Sequence, residues 1–129
     1  MSDIVTPPGL LLSDDLIFAS RIAGAARAAG LEVRQVRSAD QLADTARRLG
    51  VRGVIVDLAF PGLDLTALMQ QLRGMGARVI AYGPHVDAEL LRSARAAGCA
   101  VVLPRSKFVE ELPRQLPSWL GGAPPDLNT

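Results

Sequence analysis

The sequence predicts a doubly wound α/β fold in which five parallel strands form one sheet with helices on both faces. Short apolar runs alternate along the chain with longer segments in which apolar residues recur at helical spacing. The runs lack apolar–polar alternation, which is typical of strands buried on both faces. Short strands joined by helices of about 10–15 residues indicate right-handed crossovers and therefore a parallel sheet in three layers.

The apolar runs and the glycines between them set the element boundaries. The predicted strands are 9–13, 31–36, 53–57, 78–82 and 100–103. The predicted helices are 16–29, 38–49, 65–73, 86–97 and a last helix from residue 108 or 109. Pro113 and Pro117 fall within this last helix, and Pro117 is expected to kink or end it because proline lacks an N–H donor.

Composition indicates one domain and narrows the function classes. A chain of 129 residues fits one core, which we place at 9–120 between a flexible N-terminus, 1–8, and a flexible tail, 121–129. The net charge of +1 gives no reason to expect nucleic acid or an anionic membrane as a partner. No apolar run approaches the length of a membrane span. The single cysteine, Cys99, excludes an internal disulfide and is compatible with the cytoplasm.

Acidic and basic side chains follow the predicted strands at their carboxyl ends, where parallel sheets bind ligands. Asp14 and Asp15 follow the first strand, Asp57 ends the third, and Arg105 follows the fifth. If the first and third strands are neighbours, three carboxylates converge and repel one another unless a cation such as Mg²⁺ offsets them. A carboxylate held there can also act as an oxygen nucleophile toward phosphorus, with a cation stabilising the transferring group.

Each of these charged residues also has an ordinary structural interpretation. Asp57 would then only cap the turn that follows its strand, and Arg105 would be a solvated surface arginine. Asp14 and Asp15 would be an N-cap and a first-turn acid that the helix dipole favours. For Asp14 and Asp15, a capping role is compatible with metal binding.

Five segments, in their order and spacing, resemble the CheY-like receiver domain of bacterial two-component response regulators, which has a flavodoxin-like (βα)5 fold. Each segment alone is a weak signal, but together they cover nearly all of residues 9–120. The segments are Leu10-Leu11-Leu12-Ser13-Asp14-Asp15, Val54-Ile55-Val56-Asp57-Leu58, Pro61-Gly62-Leu63-Asp64, Ala96-Ala97-Gly98-Cys99 and Glu110-Glu111-Leu112.

The resemblance implies a role for each matching residue. Asp57 would accept a phosphoryl group, Asp14 and Asp15 would hold Mg²⁺, and the backbone carbonyl of Ala59 would complete the metal site. Arg105 would contact the phosphate. The implied partners are a sensor histidine kinase or phosphotransfer protein, a downstream protein target and a second copy of the chain. The protein would act by protein–protein contact and not as an enzyme.

Three positions depart from the family pattern. Gly83 stands where the family has a hydroxyl residue, Val102 replaces its aromatic switch residue, and Arg105 replaces its lysine. Arginine keeps the positive charge but not the reach of lysine, and Lys107 is close enough in sequence to substitute. A shift of one residue in the alignment would instead put Tyr82 in the hydroxyl position.

These departures leave two alternative functions open. The first is a pseudo-receiver, a phosphorylation-independent module for interaction or dimerisation. The second is a small-molecule binder on a flavodoxin-like fold, which is disfavoured because the sequence has no glycine-rich phosphate loop.

Overall fold

Each apolar run predicted as a strand is a strand in the structure, a computed structural model that describes residues 7–121. The strands are β1 (Gly9–Leu12), β2 (Val33–Val36), β3 (Gly53–Asp57), β4 (Arg78–Gly83) and β5 (Val101–Pro104). The helices are α1 (Leu16–Ala28), α2 (Ala39–Leu49), α3 (Leu65–Leu72), α4 (Ala88–Ala96) and α5 (Arg105–Gly121). The predicted flexible ends lie mostly outside the described residues, and Gly121, which we placed in the tail, is the last residue of α5.

The strands form one parallel sheet in the order β2-β1-β3-β4-β5. This arrangement confirms the predicted flavodoxin-like fold class. Because β1 lies between β2 and β3, the connections run in opposite directions from it, and the topological switch point falls between β1 and β3. The residues that follow β1 and end β3 therefore meet at the edge where this fold binds ligands.

Two apolar cores cover the two faces of the sheet. Helices α1 and α5 pack on one face, and α2, α3 and α4 pack on the other. Alternate residues of each strand point to opposite faces, so Val54 and Val56 of β3 belong to the second core while Ile55 belongs to the first. Asp57 is two residues beyond Ile55 and therefore points toward α1 and α5.

Side-chain caps and a left-handed glycine set several helix ends. The side chain of Ser38 accepts a hydrogen bond from the N–H of Gln41, and that of Asp64 accepts one from the N–H of Ala67. Gly50 ends α2 with a φ of 65°, a left-handed conformation that glycine adopts without strain.

The last helix begins earlier than predicted, and it does not end at Pro117. Helix α5 begins at Arg105, directly after β5, and continues through Pro113 and Pro117 to Gly121. Both prolines are exposed, so their rings lie on the solvent side. The opposite face carries the apolar residues that hold the helix on the sheet. The buried residues of α5 are Phe108, Leu112, Leu116, Trp119 and Leu120.

Candidate functional site

Asp57 is a buried carboxylate at the carboxyl end of β3. Only 2% of its surface is exposed. Its Oδ1 accepts a hydrogen bond of 2.9 Å from the N–H of Ala59, and its backbone carbonyl accepts one from Phe60. Its Oδ2 faces the guanidinium of Arg105 at 3.8 Å. One oxygen is thus fixed by the turn, and the other faces a cation.

The two acids that follow β1 lie in different surroundings. Asp15 is the N-cap of α1, with Oδ1 accepting a hydrogen bond of 2.9 Å from the N–H of Phe18. Asp14 is exposed and lines a cavity of about 360 Å³ together with Gln35 and Arg37. The capping role considered for this pair therefore applies to Asp15, and Asp14 is not a first-turn acid because α1 begins at Leu16.

The guanidinium of Arg105 lies between Asp15, which follows β1, and Asp57, which ends β3. Its Nη1 lies 3.4 Å from Oδ2 of Asp15, and its Nη2 lies 3.8 Å from Oδ2 of Asp57. The same group sits over the ring of Phe18, 4.8 Å from the centroid, and 5.8 Å from that of Tyr82. This cation is therefore positioned both by charge and by aromatic faces.

Lys107 does not substitute for Arg105, contrary to the option that its proximity in sequence suggests. Its Nζ pairs with Glu110 and Glu111 at 3.4 Å each, one turn further along α5. These pairs have the ordinary i,i+3 and i,i+4 spacing of a helix surface.

The acids of the site have pKa values shifted in opposite directions. Burial raises the pKa of Asp57, the hydrogen bond from Ala59 and the charge of Arg105 oppose this, and the charges of Asp14 and Asp15 add to it. The pKa of Asp15 is lowered, first by the hydrogen bond from Phe18 and also by Arg105. Asp14 and Asp15 therefore lie near enough to Asp57 to act on its charge.

The hydroxyl of Tyr82 is buried close to the site, since the charges of Asp57, Arg105 and Asp15 act on its pKa. Tyr82 pairs with Asp57 in the register of β3 and β4, and its side chain is fully buried. Its ring packs between those of Phe18 and Phe108, with centroids 4.8 and 4.7 Å away. Within residues 7–121 the hydroxyl makes no hydrogen bond of ordinary geometry. Burial raises the pKa of Tyr82, and Ser13 lies close enough to the hydroxyl to lower it. Gly83 is one residue further along β4 and pairs with Pro104. It stands where the family pattern has a hydroxyl residue, and it has no side chain to supply one.

The donors expected to bind Mg²⁺ have the right chemistry, since hard carboxylate oxygens are its usual protein ligands. Within residues 7–121, however, no three side chains of His, Cys, Asp or Glu are grouped closely enough to hold a metal ion. The oxygens of Asp15 and Asp57 that do not accept from the backbone both face Arg105. Ala59 contributes its N–H to Asp57, and a role for its carbonyl remains a prediction.

Phe18 is the site residue that sequence reasoning missed. It reads as part of the buried face of α1, and its spacing from the N-cap Asp15 gives no sign of a cation above its ring. It also lines a cavity of about 660 Å³ whose other walls come from three parts of the chain. These lining residues are Arg21, Pro84, His85, Val86, Arg105, Ser106 and Val109.

Large apolar side chains are exposed around this end of the molecule. Leu16 and Ile17 are 74% and 85% exposed, and Val86 is 82% exposed. Leu16 and Ile17 are adjacent in the first turn of α1, and Val86 lines the cavity next to Phe18. Within the described part of the chain, no helix is long and apolar enough to cross a bilayer.

The structure is similar to many solved receiver domains. The sequence itself matches no protein-family model and no curated protein. A protein from Chloroflexus aurantiacus named as a response regulator is 22% identical, with a TM-score of 0.73 over 87% of this chain and 96% of that one. The receiver domain of the Francisella response regulator 1452 is 18% identical, with a TM-score of 0.73 over 88% and 95%.

A third similar structure is the beryllofluoride-activated NtrC4 receiver domain dimer. It is 13% identical, with a TM-score of 0.71 over 87% of this chain and 98% of that one. At these identities the likeness concerns the fold, and it covers nearly the full length of each receiver domain. The chain therefore has the fold of the response regulator receiver domain.

Proposed function

We propose that this chain is a receiver of two-component signalling in which Asp57 accepts a phosphoryl group from a histidine kinase or a phosphotransfer protein. The observation that carries the proposal is the placement of Asp57. A buried carboxylate ends the central strand at the switch point, has one oxygen free of backbone donors, and has the guanidinium of Arg105 beside that oxygen.

The chemistry follows from this arrangement. Oδ2 of Asp57 attacks the phosphorus of a phosphohistidine, a P–O bond forms, and the P–N bond breaks with its electron pair returning to the imidazole of the donor. The hydrogen bond from Ala59 holds Oδ1, so the attacking oxygen keeps one orientation. Arg105 is near the oxygens of the transferring group and stabilises their charge.

We also propose that Mg²⁺ takes part, held by Asp14, Asp15 and Asp57 with the carbonyl of Ala59. When bound, the ion would supply a second positive charge for the phosphoryl oxygens. The charges of Asp14 and Asp15 act against the negative charge of Asp57, and Arg105 is a single cation beside these three acids.

The partner is proposed to be a protein. The exposed side chain of Val86 lines the cavity that Arg105 and Phe18 also line, and Leu16 and Ile17 are exposed in the first turn of α1. A donor protein can bury this apolar surface while its phosphohistidine reaches Asp57. A downstream protein target would be bound in the same way, by contact. A second copy of the chain is a further candidate partner, since the similar NtrC4 receiver domain is a dimer.

The test is chemical phosphorylation. We expect incubation with acetyl phosphate and Mg²⁺ to add the mass of one phosphoryl group, and Asp57→Asn to abolish the addition. Asp64→Asn is the matched control, because Asp64 ends a loop on the same side of β3 but caps α3, a role that asparagine retains. No added mass in the wild type would contradict the proposal and favour a phosphorylation-independent interaction module. Equal addition in Asp57→Asn would contradict it by showing that another residue accepts the phosphoryl group.

A further inference from the structure

The oxygens through which Asp15 and Asp57 would bind an ion both face the same guanidinium. Oδ2 of Asp15 is 3.4 Å from Arg105, and Oδ2 of Asp57 is 3.8 Å from it. The remaining oxygen of each acid accepts a backbone hydrogen bond, from Phe18 and Ala59 respectively. The chain therefore already supplies one positive charge that faces both of these oxygens.

Arg105 is held in this position by more than charge. It is the first residue of α5, directly after β5, so its backbone is fixed by the sheet. Its guanidinium lies on the ring of Phe18. An arginine has a planar, weakly hydrated cation that stacks on aromatic rings and spans two carboxylates, which a lysine ammonium does not do equally well.

The arginine also has room to leave. Its side chain is 40% exposed, and it borders the cavity of about 660 Å³ next to Phe18. The guanidinium can therefore move away from Asp15 without disturbing the buried core.

We propose that Arg105 is a built-in counter-ion of the resting site, and that a divalent cation binds only by displacing it from Asp15. The proposal rests on the proposed function insofar as the divalent ion is the one that phosphoryl transfer would use. The presence of arginine in place of the family's lysine then has a consequence. The resting chain has a low affinity for divalent ions, because Asp15 and Asp57 already share one counter-ion.

The experiment measures divalent-ion affinity directly. Free Mn²⁺ is counted by its electron paramagnetic resonance signal during titration of the protein, and Mg²⁺ is then added as competitor. We expect Arg105→Gln to bind Mn²⁺ at least about tenfold more tightly than the wild type, since a contact charge is removed from the ion's position. Arg105→Met, which removes the charge but keeps a long unbranched side chain, should give the same gain, and thermal melts establish that both variants fold.

Lys107→Gln is the control for net charge. It removes the same charge from the first turns of the same helix, but its ammonium is paired with Glu110 and Glu111 and not with the site. We expect its Mn²⁺ affinity to change by less than about threefold, because charges at a distance are screened. Adding Asp15→Asn to Arg105→Gln should remove the gain.

The proposal is overturned if both Arg105 variants bind Mn²⁺ no more tightly than Lys107→Gln does. This failure is separate from that of the proposed function. Labelling of Asp57 by acetyl phosphate without any gain in Mn²⁺ affinity would overturn only the counter-ion role of Arg105. A gain in affinity without labelling would overturn only phosphoryl acceptance.

Discussion

Tyr82 lies opposite Asp57 on the neighbouring strand, and its side chain is fully buried and close enough to Asp57 for the charge of that carboxylate to act on its pKa. The ring packs between those of Phe18 and Phe108, and the guanidinium of Arg105 lies 5.8 Å from its centroid. In a site that lacks both the hydroxyl and the aromatic switch residue of the family pattern, Arg105 is the polar side chain that touches both acids.

Removing the Tyr82 hydroxyl should not weaken the fold. The oxygen is buried without a hydrogen bond of ordinary geometry in residues 7–121, and a buried hydroxyl without a partner costs stability. We expect Tyr82→Phe to raise the free energy of unfolding by about 1 kcal/mol in urea titrations. Loss of stability instead would mean that the hydroxyl bonds to Ser13, and Ser13→Ala should then cause a similar loss.

Gly83 is the place where a hydroxyl can be restored. A Cβ built there would lie 3.4 Å from atoms of Leu58 and Leu91, close to ordinary contact distance, so a small side chain fits. We expect Gly83→Ser to increase the steady-state fraction of protein phosphorylated by acetyl phosphate by roughly fivefold, the value of one hydrogen bond to the phosphoryl group. Gly83→Ala adds the same Cβ without the hydroxyl and should give no increase. Equal effects of serine and alanine would contradict this role.

The sequence predicted the strand positions and Asp57 well because buried parallel strands are continuous apolar runs bounded by glycine or charge. The β3 run ends at Asp57 in both prediction and structure. The last helix was mispredicted because the rule for proline is local, while the five buried residues of α5 act through the tertiary core. The prolines face solvent, so the core is not disturbed.

The contacts of Arg105 could not be predicted in the same way. They depend on Phe18 and Asp15 in a helix about ninety positions earlier, and no local pattern relates these residues. Lys107 is different, because its spacing from Glu110 and Glu111 is visible in the sequence and indicates a pairing along the helix surface. Local pairings were therefore available to sequence reasoning, and the long-range site was not.

The charge of Asp57 should cost stability at neutral pH. Burial raises its pKa in the folded protein, so the folded state favours the protonated form more than the unfolded chain does. The cost is present above the folded-state pKa and disappears as the pH falls through it. We expect Asp57→Asn to be more stable than the wild type at neutral pH, with the difference shrinking in acid, in thermal melts across the pH range.

Asp15→Asn should show the opposite sign. The pKa of Asp15 is lowered, first by the hydrogen bond from Phe18, so its charged form contributes stability above the unfolded-state pKa that is lost as the pH falls through the folded-state pKa. Asparagine keeps the cap and removes only the charge. We therefore expect a loss of stability at neutral pH that disappears in acid. The same sign for both variants would contradict the opposite pKa shifts.

Pro117 should lower the stability of α5. It interrupts the helix on an exposed face, and the carbonyl of Pro113, four residues earlier, has no helical donor. We expect Pro117→Ala to raise the free energy of unfolding by about 2 kcal/mol, the helix penalty of proline less its effect on the unfolded chain. Pro61→Ala, in the turn that Gly62 completes with a φ of 74°, should give no gain. No gain from Pro117→Ala either would mean that α5 does not continue through this position.

The end of α5 lies against the start of β3 at Gly53, where only glycine fits. A Cβ at Gly53 would be 2.1 Å from the backbone oxygen of Trp119 and 2.9 Å from the Cα of Leu120. We expect Gly53→Ala to lower the free energy of unfolding by about 3 kcal/mol, because the helix must move away from the sheet. Gly24→Ala is the matched control: this glycine is inside α1 with nothing within 4 Å of its Cβ position, so alanine should add about 1 kcal/mol. Urea unfolding of the two variants measures both values, and a Gly53→Ala protein as stable as the wild type would contradict the close packing of α5 on β3.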